Sequence, residues 1–407
     1  MHIDAAAAGF SSDKLQRIGE HINQRYIEPK KIAGCQILIA RKGIKAYFES
    51  FGYMDLERQR PMQDDTIFRI YSMTKPITSV ALMMLYEEGR FQLNDPVSKF
   101  LPSWGHHQVW VEGSGDNMVT RPAKTTLTVR HLLCHTSGLS YGGILEGESQ
   151  PVDAAYQKLG VERNQGETTA TFAEKLGQVP LRFDPGEKWL YSLATDLCGC
   201  LVEALSGQKF EDFLQQRMFA PLGMVDTAFY VPTEKANRLA ANYQRAADKS
   251  LQLLDDPQTS TFLKAPSFPS GGGGLLSTSH DYAKFCEMLR QGGRLGDTQI
   301  IGSRTLALMT KNHLGGGRDL AGMAMGSFSE TAYEGVGFGL GFATTLDEVS
   351  SGTMGAGDYY WGGAASTIFW GDPIEDLYVI FMTQLRPSST FNFRGQIKNI
   401  VYGAITD

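Results

Sequence analysis

The chain has 407 residues, 42% hydrophobic and 20% charged, with a formal net charge of −6. That length outgrows one simple core and suits one large or two interlocked domains of ordinary globular composition. There is no basic excess and no run of like charge, so nucleic acid is not expected as a partner. The opening Met1-His2-Ile3-Asp4 and the alanines after it have neither a basic n-region nor a long apolar stretch. A signal peptide, a membrane span and membrane association are therefore not expected, and the reading is a cytoplasmic protein. Cys35, Cys134, Cys198, Cys200 and Cys286 make no CxxC pair, and the histidines include no HExxH. Reduced, buried thiols are expected, with no metal and no cofactor.

In chain order, residues 14–28 predict a helix, with Leu15, Ile18, Ile22 and Tyr26 at helical spacing. Strands follow at 34–40 and 45–50, around the turn Arg41-Lys42-Gly43-Ile44. Segment 66–71 is extended and apolar and runs into Ser72. Residues 76–90 form a strong amphipathic helix, with Pro76 near its start, where a missing N–H is harmless. Further helices are predicted at 128–133, 172–176, Ala194–Ser206 and 210–218. The irregular segments 104–126 and 141–170 are too long for simple connections and read as lids or pocket walls. A glycine run at 271–274 precedes a helix at 280–291. Strands are predicted at 337–345, 359–370 and 377–385, the last two flanking Gly371-Asp372-Pro373-Ile374, before a closing helix at 393–404. Strands at both ends with helices between them imply an α+β fold. One antiparallel sheet flanked by helices takes strands from both chain ends. Residues 1–75 and 266–407 make the discontinuous sheet domain, 76–265 an inserted, mainly helical domain, and the active site lies between them.

Two serine signatures compete for the chemistry. Gly138-Leu139-Ser140-Tyr141-Gly142 fits G-x-S-x-G, a pattern that needs a buried strand before it and a helix after it. Here a helix end and a turn precede it and a loop follows, with no sensible acid and histidine order downstream. Ser72-Met73-Thr74-Lys75 fits S-x-x-K, as do Ser11/Lys14 and Ser206/Lys209. Only Ser72 stands where a strand-like segment enters a long apolar helix. Residues three apart share a helical face, so Lys75 reaches the Ser72 hydroxyl. Burial and the positive helix end both disfavour a charged lysine, and the same terminus leaves N–H groups for an oxyanion.

Several segments together resemble the serine β-lactamase and penicillin-binding-protein superfamily. Ser72-Met73-Thr74-Lys75 resembles its S-x-x-K. Leu132-Leu133-Cys134-His135-Thr136-Ser137-Gly138-Leu139 resembles the LLxHTSGL segment of class C β-lactamases. Tyr191-Ser192-Leu193 is similar to the Tyr-x-Asn region, and Trp361-Gly362-Gly363 sits where Lys-Thr-Gly is expected. The Tyr-Ser-Leu and Trp-Gly-Gly variants resemble those of the family VIII carboxylesterases. The resemblance implies a β-lactamase/transpeptidase-like fold and cleavage of small-molecule carboxylic esters, with short-to-medium acyl groups, through an acyl-enzyme on Ser72. It further implies Lys75 and Tyr191 as a shared general base, whose proton belongs to the pair rather than to either residue. The backbone N–H groups of Ser72 and Ala364 would form the oxyanion hole, and Trp361, Gly362 and Gly363 would bind substrate. An indole in place of lysine offers no charge to a carboxylate but packs against apolar groups. β-Lactamase or D-amino-acid peptidase activity, and acyl transfer to an alcohol, are the enzymatic alternatives; a non-catalytic ligand-binding relative is the third.

Overall fold

The fold is that of a computed structural model, which describes residues 3–143, 149–161, 166–325 and 333–406. Its core element is an eight-stranded sheet. The strands are β1 (Gly34–Arg41), β2 (Ile44–Asp55), β3 (Arg60–Pro61), β4 (Val336–Phe338), β5 (Ala343–Thr345), β6 (Tyr359–Gly362), β7 (Ile368–Asp372) and β8 (Leu377–Thr383). They lie in the order β4-β5-β6-β7-β8-β1-β2-β3, antiparallel throughout. The seam between the chain ends is the β1–β8 ladder, from Cys35 opposite Thr383 to Arg41 opposite Leu377. Every residue of β1 and of β8 is buried, which is why both read as largely apolar rather than alternating, with Gln36 and Arg41 the buried polar members of β1.

Helices cover the sheet. Helix α1 (Ser12–Ile22) is capped by Ser11 and buries Leu15, Ile18 and Ile22; a wider turn, Asn23–Ile27, then buries Tyr26. Helix α2 (Thr74–Glu87) packs on α3 (Ala194–Ser206). Helix α4 (Ser279–Arg290) lies over β1 and β8, and α5 (Phe393–Gly403) packs against α1. The sequence predicts α2 as amphipathic; instead every residue from Thr74 to Leu85 is buried, because the helix runs through the middle of the molecule.

Other expectations are corrected by local hydrogen bonding. The runs 337–345 and 359–370 are each two antiparallel strands, β4–β5 and β6–β7. In the second, Gly363 N donates to Thr367 O at 2.7 Å and Ser366 takes a left-handed φ of 65°, which reverses the chain inside an apolar stretch. Gly371 and Asp372 accordingly belong to β7. Segment 66–71 contains only the short strand Phe68–Arg69. The supposed loop 104–126 holds a hairpin, Gln108–Glu112 with Val119–Pro122, and 141–170 holds the helix Asp153–Leu159. Residues 144–148 and 162–165 of the latter lie outside the described residues, as do Met1 and His2. Among the described residues, no helix is long and apolar enough to cross a membrane.

A buried ion pair ties α5 to the sheet. Lys398 Nζ sits 2.5 Å from Asp358 Oδ2, with both side chains almost wholly enclosed, and Thr345 N donates to the same carboxylate. Burial holds the Asp358 carboxyl above its ordinary range, although Lys398 pulls the other way. Lys398→Met should destabilise the fold by about 3 kcal/mol near neutral pH. Left alone, Asp358 would fold only as the protonated acid, so that penalty should shrink as the pH falls toward 5. Urea denaturation at both pH values checks this; a pH-independent loss under 1 kcal/mol would show that the pair contributes little.

Candidate active site

Ser72 is held by the strands around it. Phe68–Arg69 pairs with Leu276–Ser277 on one side. On the other, Arg69 N donates to Gln384 Oε1 at 3.1 Å and Gln384 Nε2 donates back to Arg69 O at 3.0 Å, a side chain imitating a strand. Tyr71, next in line, has φ 42°, left-handed for a residue with a side chain. Such a conformation costs about 1–3 kcal/mol and persists only when the surroundings enforce it. Here the phenol oxygen accepts from Asn242 Nδ2 at 3.0 Å. A 3₁₀ turn, Tyr71–Met73, then leads into α2, so the Ser72 amide lies in a first turn with no earlier turn to accept from it.

One turn further on, Lys75 is 1% exposed. Its Nζ donates to Ser72 Oγ at 3.1 Å, to the Tyr141 hydroxyl at 2.8 Å and to Gly272 O at 2.6 Å. It also lies 4.5 Å above the centre of the Tyr191 ring. An enclosed amine is tolerable only with such partners. The Gly272 carbonyl is fixed from behind by Asp196 in the first turn of α3, whose Oδ1 accepts from Gly272 N at 3.2 Å and from Ser270 Oγ. A Cβ at Gly272 would fall 2.2 Å from Asp196 Oδ2, so the glycine is what lets the carbonyl reach the lysine.

Tyr191 belongs to an aromatic cluster just ahead of α3. Trp361 Nε1 donates to its hydroxyl at 3.2 Å, and its ring packs on Tyr141 and His135 at centroid distances of 5.2 and 4.9 Å. The segment resembling LLxHTSGL and the serine after it hold Tyr191 in place: Leu190 N donates to His135 O and Leu193 N to Ser140 O. Trp361 is 1% exposed, packs against Phe338 and the Tyr191 ring, and gives its indole N–H to the Tyr191 hydroxyl. Gly362 and Gly363 follow at the end of β6. A Cβ on Gly363 would lie 2.3 Å from the Ile70 carbonyl oxygen, which brings the turn carrying half-buried Ala364 against the segment that bears Ser72.

The competing serine has a different setting. Ser140 is buried, its Oγ donating to Asp153 at 2.8 Å and accepting from Gly142 N at 3.0 Å, while Tyr156 OH accepts from its amide. That is a turn held closed from inside. His135 lies near Ser192 and Thr195, and burial, reinforced by the Lys75 charge, keeps its imidazole far below the ordinary range and neutral.

Sequence reasoning missed Tyr141, Asp196 and Gly272. Tyr141 stood inside the rejected G-x-S-x-G, and its position right after the LLxHTSGL-like segment is the signal that could have drawn notice. Tyr141→Phe should slow covalent labelling of Ser72 by a fluorophosphonate probe about 10-fold or more, the scale of one hydrogen bond to a charged group. The pH profile of labelling should shift as well. Labelling with unchanged rate and profile would make the Tyr141 contact incidental.

Known proteins resemble the chain over most of its length. The β-lactamase family model matches residues 21–398. Protein Rv1367c of Mycobacterium tuberculosis is 31% identical over 88% of this chain and 86% of its own. Esterase EstB of Burkholderia gladioli is 28% identical over 94% of this chain and 93% of its own. The solved structure of EstCE1, described as a hydrolase with promiscuous acyltransferase activity, superposes with a TM-score of 0.78 at 29% identity, covering 96% of this chain and 99% of its own. The chain belongs to the β-lactamase family.

Proposed function

We propose that this protein is a serine carboxylesterase acting through an acyl-enzyme on Ser72. The observation that carries the reading is the Lys75 amine, enclosed between Ser72, Tyr141, the Gly272 carbonyl and the Tyr191 ring. In the first half-reaction Ser72 Oγ attacks the ester carbonyl and its proton passes to the Lys75/Tyr191 pair, which starts one proton short of an ammonium beside a neutral phenol. The carbonyl oxygen takes up the negative charge against the N–H groups of Ser72 and Ala364, each worth about 2.7–4 kcal/mol in sites of this kind. The bond to the alcohol then breaks and the same pair returns the proton to the leaving oxygen. In the second half, water gives a proton to the pair as it attacks the acyl group, the acyl–Oγ bond breaks, and the pair returns the proton to Ser72 Oγ. Tyr141 keeps Lys75 on the serine, and the Trp361 indole orients the Tyr191 oxygen.

The finer assignment, a family VIII carboxylesterase with short-to-medium acyl preference, is supported by the likeness to Esterase EstB and by the uncharged Trp361-Gly362-Gly363. A cytoplasmic setting is part of the reading, supported by five free, buried cysteines. Acyl transfer to an alcohol is the second reading, favoured by the likeness to EstCE1 and by a roomy cavity beside the site.

With 4-nitrophenyl butyrate, Ser72→Ala should lose at least about 10³-fold in kcat, as when the nucleophile of a triad is removed. Ser140→Ala should keep most of its activity while losing stability, because it orphans a buried carboxylate contact. The opposite pattern would move the chemistry to Ser140. A cephalosporin should turn over far more slowly than the ester; comparable rates would favour the β-lactamase alternative.

A further inference from the structure

Beside the site opens a cavity of about 930 Å³, bounded by Tyr71 and by glycines next to Gly272. That is the size of pockets that enclose a complete small molecule. Phe229, Phe262 and Phe268 give it apolar walls, and its charged lining residues are Lys264 and Arg386. Among its described lining residues there is no aspartate or glutamate, although the chain as a whole carries a formal charge of −6.

Arg386 is the more informative of the two cations. It follows Gln384, the residue clamped to Arg69, and its short strand Leu385–Arg386 pairs with Tyr243 and Gln244. The backbone that bears Arg386 is therefore tied to the frame that holds Ser72. Its charge reaches Tyr71, opposing the upward push that burial gives that phenol. Arg58, Arg69, Arg238 and Arg290 each pair with a carboxylate, whereas among the described residues none pairs with Arg386. A half-buried guanidinium aimed at no internal acid, in a cavity with apolar walls, complements a ligand that is apolar with one anionic end.

We propose that Arg386, with Lys264 at the exposed edge, binds a carboxylate carried by the substrate, so that the preferred ester is a monoanion with an apolar body. This rests on the esterase reading and names its substrate class. Trp361 stands on β6 where the family's lysine is expected, and Arg386 supplies a cation from a different element.

Two matched pairs of esters separate charge from shape. The pair 4-nitrophenyl hydrogen glutarate and 4-nitrophenyl hexanoate places the carboxylate on the acyl side. The pair 4-(butyryloxy)benzoate and its methyl ester places it on the leaving group. In at least one pair, Arg386→Gln should lower kcat/KM for the anion relative to its neutral partner by about 10- to 100-fold, chiefly through KM. Arg386→Lys should restore part of that ratio, and added salt should erode it in the wild type. Ratios that do not change in either pair would overturn the proposal. The non-cleavable amides glutaranilate and 4-butyramidobenzoate, titrated calorimetrically into Ser72→Ala and Ser72→Ala/Arg386→Gln proteins, read the same contact without turnover. Arg386-dependent amide binding with no ester cleaved would sink the esterase reading and keep the carboxylate site. Cleavage of neutral esters with no Arg386-dependent preference or binding would sink the carboxylate site alone.

Discussion

An amine enclosed in protein has to be given partners, and most of the architecture around Ser72 is the means of giving them to Lys75. A lysine with 1% exposure would forfeit several kcal/mol of hydration if nothing replaced its water. The replacements come from distant parts of the chain: a hydroxyl one turn back, a phenol in the loop after residue 140, a carbonyl in the glycine run and the face of Tyr191. Each partner is fixed by something else. Asp196 holds the glycine run, the hydrogen bonds of Leu190 and Leu193 hold Tyr191, and paired strands hold Ser72. The left-handed Tyr71 is the local strain this arrangement accepts, at the position where a serine must leave a strand and enter a helix.

The sheet has a related task. Because β8 pairs with β1, the late strands are anchored to the start of the chain, and β6 ends beside the segment that carries Ser72. The close approach of Gly363 to the Ile70 carbonyl sets the next residue, Ala364, whose N–H is proposed as the second oxyanion donor, against the segment that carries Ser72. A tightly turned hairpin there is more useful than the single long strand that the apolar run suggests.

What could be read in the sequence follows from distance along the chain. Ser72 and Lys75 are three residues apart on a helix, so their contact is local and legible. Helix α3 was legible to the residue because its apolar run ends at Ser206-Gly207, with Gly207 in the left-handed cap. Tyr191 and Trp361 became candidates through the ordered resemblance, and no local rule joins them across 170 positions. Tyr141, Gly272 and Asp196 were missed for the same reason: their roles exist only after the helical and sheet segments have packed. The hairpins β4–β5 and β6–β7 were missed because their turns use Gly, Leu, Phe, Ala, Ser and Thr inside apolar runs, with no Pro, Asn or Asp to mark them.

In the proposed mechanism the enclosed lysine activates Ser72 and not Ser140. The most direct measurement is intact-mass detection of the acyl adduct left by a slowly hydrolysed ester, followed by peptide mapping of the modified residue. A single acyl group on the peptide containing Ser72, absent from Lys75→Ala protein, is expected of that mechanism. An adduct on the peptide containing Ser140, or acylation of Ser72 that persists without Lys75, would contradict it.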